Sequence, residues 1–396
     1  MSRRCAVLLA LPFAAACGMN EPFDPPAVDS PFRAIAAGVL HSCALTVTGH
    51  VYCWGWNRDG ELGDGSRTDR DLPVQVTGGI AFASASAGGG HTCAVATAGE
   101  PFCWGFNHNG QLGDSTFSGR STPVAVTGAL TLTTLEAGGA FTCGIASDSA
   151  AWCWGWGADG QLGNGTRTDR RAPEAVLGGT ELTALSAGVS HACAIAADST
   201  AWCWGSNDLG QLGDGTTTDT TRPMPVTGAR KFIAVSVGYS HSCGLESAGD
   251  LYCWGDNSLG QLGDTLVGQA SAPRLVKGGL TFLSVSAGAA HTCGVTAGGS
   301  AYCWGSDASG QLGSPAVSVC TTSAGSQPCT RVPTLVTGGL SFQSVSAGTQ
   351  HSCGLASGAG GPIAYCWGLN DLGQLGDGTT RNSGSPVRVG KQAGGT

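Results

Sequence analysis

Residues 41–54 read HSCALTVTGHVYCW, and the phrase returns as HTCAVATAGEPFCW from 91 and HACAIAADSTAWCW from 191. Each copy carries a cysteine near its start and another ten residues on, with a histidine two places before the first. Three chemistries suit these residue types: a metal centre, a reactive dithiol and a structural disulfide. A tetrahedral zinc site wants four ligands, usually with close C-x-x-C spacing, and the third copy has Phe141 where the others have His41, His91, His191, His241, His291 or His351. A catalytic dithiol needs one distinctive pair in an electropositive setting, whereas this pair recurs in every copy. The histidines fit a structural role, bonding to backbone, and no metal or other cofactor is expected.

The elements that must position these residues follow from the period. Trp-Gly pairs begin at Trp54, Trp104, Trp154, Trp204, Trp254, Trp304 and Trp367, with one long spacing at the end. Each unit holds four short apolar segments, for example FLSVSAG (282–288), HTCGV (291–295), AYCWG (301–305) and PTLV (333–336), separated by Gly-rich turns. Regular short strands with turn signals predict an all-β chain, and a period near 50 residues with four strands matches one propeller blade. The expected architecture is a seven-bladed β-propeller over 32–390, followed by a tail at 391–396. The last unit stops after PVRV (386–389) and the first begins with FRAIAAG (32–38), so the N-terminal strand is expected to close the last blade.

In such a blade a hairpin that sets Cys43 opposite Cys53 also pairs Leu45 with Val51 and turns at Val47-Thr48-Gly49. Directly opposed α-carbons lie about 4.5–5.5 Å apart, within reach of a disulfide. The same register predicts Cys93–Cys103, Cys143–Cys153, Cys193–Cys203, Cys243–Cys253, Cys293–Cys303 and Cys353–Cys366. In the seventh unit the extra residues fall in the tip, GAGGP, so its cysteines still face each other. Of 18 cysteines, Cys5 and Cys17 stand in the N-terminal leader, and the remaining pair, Cys320–Cys329, lies inside an insertion (314–332).

The motifs AGAAHTC (287–293), WGSNDLGQLGDGT (204–216) and WGLNDLGQLGDGT (367–379) resemble the regulator of chromosome condensation repeat family. The resemblance covers nearly everything after the leader and implies the propeller. The paired hairpin cysteines depart from the family's usual small or apolar residues. The functions it implies are diverse: eukaryotic members exchange guanine nucleotide on the small GTPase Ran, and a secreted bacterial member inhibits β-lactamases. The plant ultraviolet-B photoreceptor uses a tryptophan after Ala-Gly that none of the seven slots here has.

The start, MSRRCAVLLALPFAAAC, has arginines, a short apolar run and small residues before a cysteine, the pattern of an export signal. The run is too short to span a bilayer, which takes about 20 apolar residues. Ala14-Ala15-Ala16-Cys17 resembles the lipobox of bacterial lipoproteins, so residues 1–16 are expected to be a signal peptide and Cys17 the lipidated residue. An acidic, proline-rich tether completes 17–31, and the lipid is the expected contact with the membrane. The whole chain has a formal charge of −8, and losing Arg3 and Arg4 makes it more acidic, which argues against nucleic acid as a partner.

Chemistry is otherwise sparse. The GQLGDGT segments open no helix and lack the lysine of a phosphate loop, their spacing is not that of a twelve-residue calcium loop, and no acid pair stands out. A carbohydrate-active or lyase role would call for an acid–base pair in the central channel. What breaks the repeat is Trp56, Phe106 and Trp156 directly after Trp-Gly, against Ser206, Asp256, Ser306 and Leu369 elsewhere, together with the variable slot after Ala-Gly that includes Tyr239. Aromatics on adjacent blades suit a binding hot spot. The expectation is a monomeric, non-enzymatic scaffold that binds an extracytoplasmic protein, with a secreted-type enzyme inhibitor as the alternative.

Overall fold

The computed structural model describes residues 28–178, 181–323 and 325–390. The leader, Cys17, most of the tether and the tail 391–396 lie outside the described residues. Seven antiparallel sheets, at 32–75, 82–125, 132–175, 182–225, 232–275, 282–335 and 342–388, form blades 1 to 7, with strands paired in chain order in every blade but the sixth. In blade 1 these are Phe32–Ala37, His41–Thr46, Val51–Gly55 and Arg70–Gln75. The first strands of successive blades touch one another around the axis, with Phe32–Ala37 against Phe342–Ala347, so they are innermost. Blade 6 carries a fifth strand, because the insertion folds as a hairpin, Ser318–Thr322 against Gly325–Leu335.

The ring closes differently from the sequence expectation. Blade 7 is complete with four of its own strands, and the N-terminal strand pairs with His41–Thr46 inside blade 1. A three-residue connection makes that local pairing far easier than one across the chain ends. Closure comes instead from packing: Val28, Phe32, Tyr52 and Trp54 share a core with Leu355, Leu375 and Val389. The same kind of cluster fills each of the other six junctions.

The second and third strands carry the disulfides. Cys43 and Cys53 are register partners with α-carbons 4.1 Å apart, and Cys353–Cys366 has 4.0 Å despite its longer tip. Cys93–Cys103, Cys143–Cys153, Cys193–Cys203, Cys243–Cys253 and Cys293–Cys303 repeat the arrangement, and Cys320–Cys329 joins the inserted hairpin. These sulfurs are therefore not available as zinc thiolates.

The tryptophan that recurs in every repeat is buried and ties its blade to the previous one. Trp54 Nε1 donates to the Gln374 carbonyl, Trp104 to that of Glu61 and Trp154 to that of Gln111, at 2.8–2.9 Å, and the other four repeat the pattern. The glycine two residues after that carbonyl makes room for the indole. Gly63 has φ +66°, and a Cβ there would lie 2.7 Å from Trp104 Nε1.

The histidines do not bond to backbone. His41 Nε2 meets the Thr92 hydroxyl of the next blade at 2.8 Å, and that hydroxyl donates onward to the Glu61 carbonyl at 2.8 Å. Because the hydroxyl spends its proton on the carbonyl, it must accept one from Nε2–H, which fixes the neutral tautomer. The relay recurs from His91 to Thr142, His191 to Ser242, His241 to Thr292, His291 to Ser352 and His351 to Ser42. At the blade 3–4 junction both partners change together: Phe141 faces blade 4, which has Ala192, and both are fully buried in one apolar cluster.

That joint change makes a prediction. Phe141→His alone buries an imidazole with no hydroxyl to receive its Nε2–H, which costs about 1–3 kcal/mol. Adding Ala192→Ser supplies the hydroxyl, and the Gln161 carbonyl that accepts from Trp204 can accept from it as well. A double-mutant cycle by urea denaturation should show a favourable coupling of about 1 kcal/mol or more; simple additivity would contradict the relay.

Candidate binding face

The alternating strand directions put the 38–40 loop and the start of the 56–69 loop at one end of each blade, here the upper face. The two loops are joined by backbone hydrogen bonds, Trp56 N to Leu40 O (3.0 Å), Phe106 N to Gly90 O (2.7 Å) and Trp156 N to Ala140 O (2.9 Å). The 47–49 hairpin tips lie at the other end. Trp56, Phe106 and Trp156 therefore stand at equivalent upper positions on three adjacent blades, each half-buried. The Arg58 guanidinium lies 4.8 Å over the Trp56 ring, and Phe106 packs against His108, tilted by 52° with 4.5 Å between centroids.

Tyr239 is not part of this arc. It stands two blades beyond Trp156, at the mouth of the axial channel, and is 53% exposed. The mouth is walled by the glycines after each inner strand, packed so closely that a Cβ on Gly188 would lie 2.2 Å from the Gly238 carbonyl oxygen. The inserted hairpin reaches the same face. Its Cys320–Cys329 bridge packs on Leu259, Arg331 Nη1 donates to the Leu266 carbonyl (3.3 Å), and Val317 and Val319 are largely exposed.

The Gly-rich loops are self-satisfied turns. Asn57 Nδ2 reaches the Asp64 carboxylate and the Thr68 carbonyl, its Oδ1 accepts from Leu62 N, and Arg70 pairs with Asp64. Among the described residues no three His, Cys, Asp or Glu side chains converge as metal ligands.

Two symmetry-breaking acids escaped the sequence reading. Glu61 occupies the slot that is Gln111, Gln161, Gln211, Gln261, Gln311 and Gln374 elsewhere, so GELG against GQLG was the available signal. It is 1% exposed, and burial raises its pKa to about 7. In blades 4 to 6 the glutamine amide donates to Ser206, Asp256 or Ser306. In blades 2, 3 and 7, where Phe106, Trp156 and Leu369 replace those acceptors, Gln111, Gln161 and Gln374 Nε2 are buried without a partner. The arc thus trades a polar anchor for an apolar surface. Glu136 replaces a serine of the innermost strands; burial raises its pKa to about 7, and it accepts from the Ser86 hydroxyl at 3.2 Å. That partner is a hydroxyl rather than a second titratable group.

The regulator of chromosome condensation (RCC1) repeat matches at 48–95, 98–145, 148–195, 198–245, 248–295, 298–355 and 363–394. The chain is 51% identical over 45 residues to the ultraviolet-B receptor UVR8 of Arabidopsis thaliana, covering 11% of this chain and 10% of that one. Two solved structures share the fold. Prp20p of Saccharomyces cerevisiae, whose binding properties to Gsp1p and histones are described, has a TM-score of 0.77 at 23% identity over 87% of each chain. Human WBSCR16 has a TM-score of 0.74 at 21% identity over 84% of this chain and 89% of that one. With seven repeats matched from residue 48 to 394, this chain belongs to the regulator of chromosome condensation repeat family.

Proposed function

We propose that the chain is a non-enzymatic scaffold acting outside the cytoplasm, tethered to the bacterial envelope through Cys17, whose upper face binds a protein partner. The observation that carries this reading is the arc of Trp56, Phe106 and Trp156, where apolar surface has replaced a buried hydrogen bond in blades 2 and 3. Giving up such a bond costs stability, and half-buried rings of this kind are the usual anchors of an interface. Tyr239 at the channel mouth and the inserted hairpin widen the same face. The eight disulfides among the described residues are consistent with an extracellular protein. Among the described residues no helix is long and apolar enough to cross a membrane.

The test is capture of an envelope partner by the mature chain, compared with the W56A/F106A/W156A variant. Loss of anchors of this type should weaken binding at least about tenfold, while replacements at the 47–49 tip should leave it intact. Equal capture by the triple variant would remove the arc from the interface. An enzyme as partner would make the protein an inhibitor, which a β-lactamase activity assay with the protein added can decide.

A further inference from the structure

The junction of blades 3 and 4 departs from the other six in more than the Phe141–Ala192 couple. Five blades open with a phenylalanine, Phe32, Phe82, Phe232, Phe282 or Phe342, whose ring lies 5.7–6.4 Å from the buried tryptophan of the same blade. Blades 3 and 4 have Leu132 and Leu182 instead. In blade 3 the aliphatic Leu130 packs beside Leu132 and helps to fill the space.

The ring-sized volume at Leu182 is open as a cleft beside the lower face. Its walls are Val176, Leu177, Leu182, Trp202, Trp204 and Pro223, and Asp148 and Glu181 stand at its rim. Among the described residues no Lys or Arg lines the cleft, and Lys231 of the next blade is held by Asp198. Arg222 turns to Gly165, where a Cβ would lie 3.8 Å from its Nε. The cleft therefore joins an apolar slot with two indoles to a rim carrying two carboxylates and no paired cation.

We propose that this cleft binds a small organic ammonium ion with an aromatic or branched apolar body, the body taking the place a phenylalanine ring holds in five other blades and the ammonium lying between Asp148 and Glu181. Apolar voids of this kind accept ring-sized guests, sites of this shape draw selectivity from a few polar groups, and indole faces favour cations. The inference does not depend on the upper-face partner, since none of its residues lies there.

The probe is the phenethylammonium ion, titrated calorimetrically at neutral pH against phenethyl alcohol and phenylacetate. Binding should rank cation first, alcohol second and carboxylate last. Leu182→Phe rebuilds what five blades already have, and Ala44 and Ala94 beside Phe32 and Phe82 show that Ala194 can adjoin such a ring. It should keep or raise the melting temperature and weaken phenethylammonium binding more than tenfold. D148N/E181Q should reduce the cation's affinity to that of the alcohol. If the phenylalanine variant fails to fold, the wild-type Trp202 indole N–H resonance, assigned with W202F, must shift during the titration. No saturable binding, binding unchanged by either variant, or an unmoved Trp202 resonance would overturn the proposal.

Discussion

Acidification from neutral pH is expected to destabilise the protein steeply, beginning near the ordinary histidine pKa of 6.5. Burial lowers His41 and His241 to about 4 and His91, His191, His291 and His351 to about 3. Five of the six have Nδ1 buried without an acceptor, so a proton added there gains no hydrogen bond. The sign follows from linkage. These groups are neutral in the fold and titrate at about 6.5 when unfolded, so their stabilisation is complete above pH 6.5 and is lost as pH falls toward 4. Six protons would give a slope of about 8 kcal/mol per pH unit.

Glu61 and Glu136 oppose this. Their folded pKa values are raised to about 7 from 4.5, so their contribution is complete below pH 4.5 and is lost as pH rises through 7. Between the two limits the unfolded chain gains a net of about four protons, which gives a slope of about 5 kcal/mol per pH unit. Urea midpoints measured across this range, with the bridges intact, should fall accordingly; a flat profile down to pH 5 would contradict the neutral histidine ring. Glu61→Gln supplies the control. It should leave the protein nearly unchanged at pH 4, stabilise it increasingly as pH rises from 4.5 to 7, and give its full gain above pH 7.

Reduction under denaturing conditions should leave a chain that does not regain its native fold until reoxidised. A bridge across ten residues limits the unfolded chain by about 3 kcal/mol. Even partial realisation of seven such effects is comparable with the 5–15 kcal/mol of net stability typical of a folded domain. The sulfurs are 0–1% exposed, so reductant alone should act slowly and only through opening of the blades. Replacing Cys43 and Cys53 by alanine should lower the urea midpoint by the equivalent of about 3 kcal/mol. Replacing Cys320 and Cys329 should lower the midpoint less, because Cys320 stands on the outermost strand of blade 6, which joins the ring only through the strand that carries Cys329. Equal losses from the two replacements would show that the hairpin is integral to the ring.

Blade number, strand positions and cysteine register were legible because each depends on residues close in the chain. A strand's face alternates with period two, and a hairpin tip sets which residues oppose each other, so Cys43 opposite Cys53 follows from local spacing. The stretched tip between Cys353 and Cys366 showed that the arms, not the loop, are constrained. The histidine partner was misassigned for the complementary reason. Thr92 lies 51 residues from His41, and only packing of one blade on the next brings the two together.

The period, the seven blades and the bridged hairpins were determined by the sequence itself, through spacing within single units. Tertiary structure decided how the ring closes, which glutamine amides lose their acceptors, that Glu61 and Glu136 are buried acids, and that replacing a phenylalanine by Leu182 opens a cleft. Each depends on what a neighbouring blade or loop places beside a side chain, and the energy of a buried polar group or a void is set by that surrounding rather than by its own position in the chain.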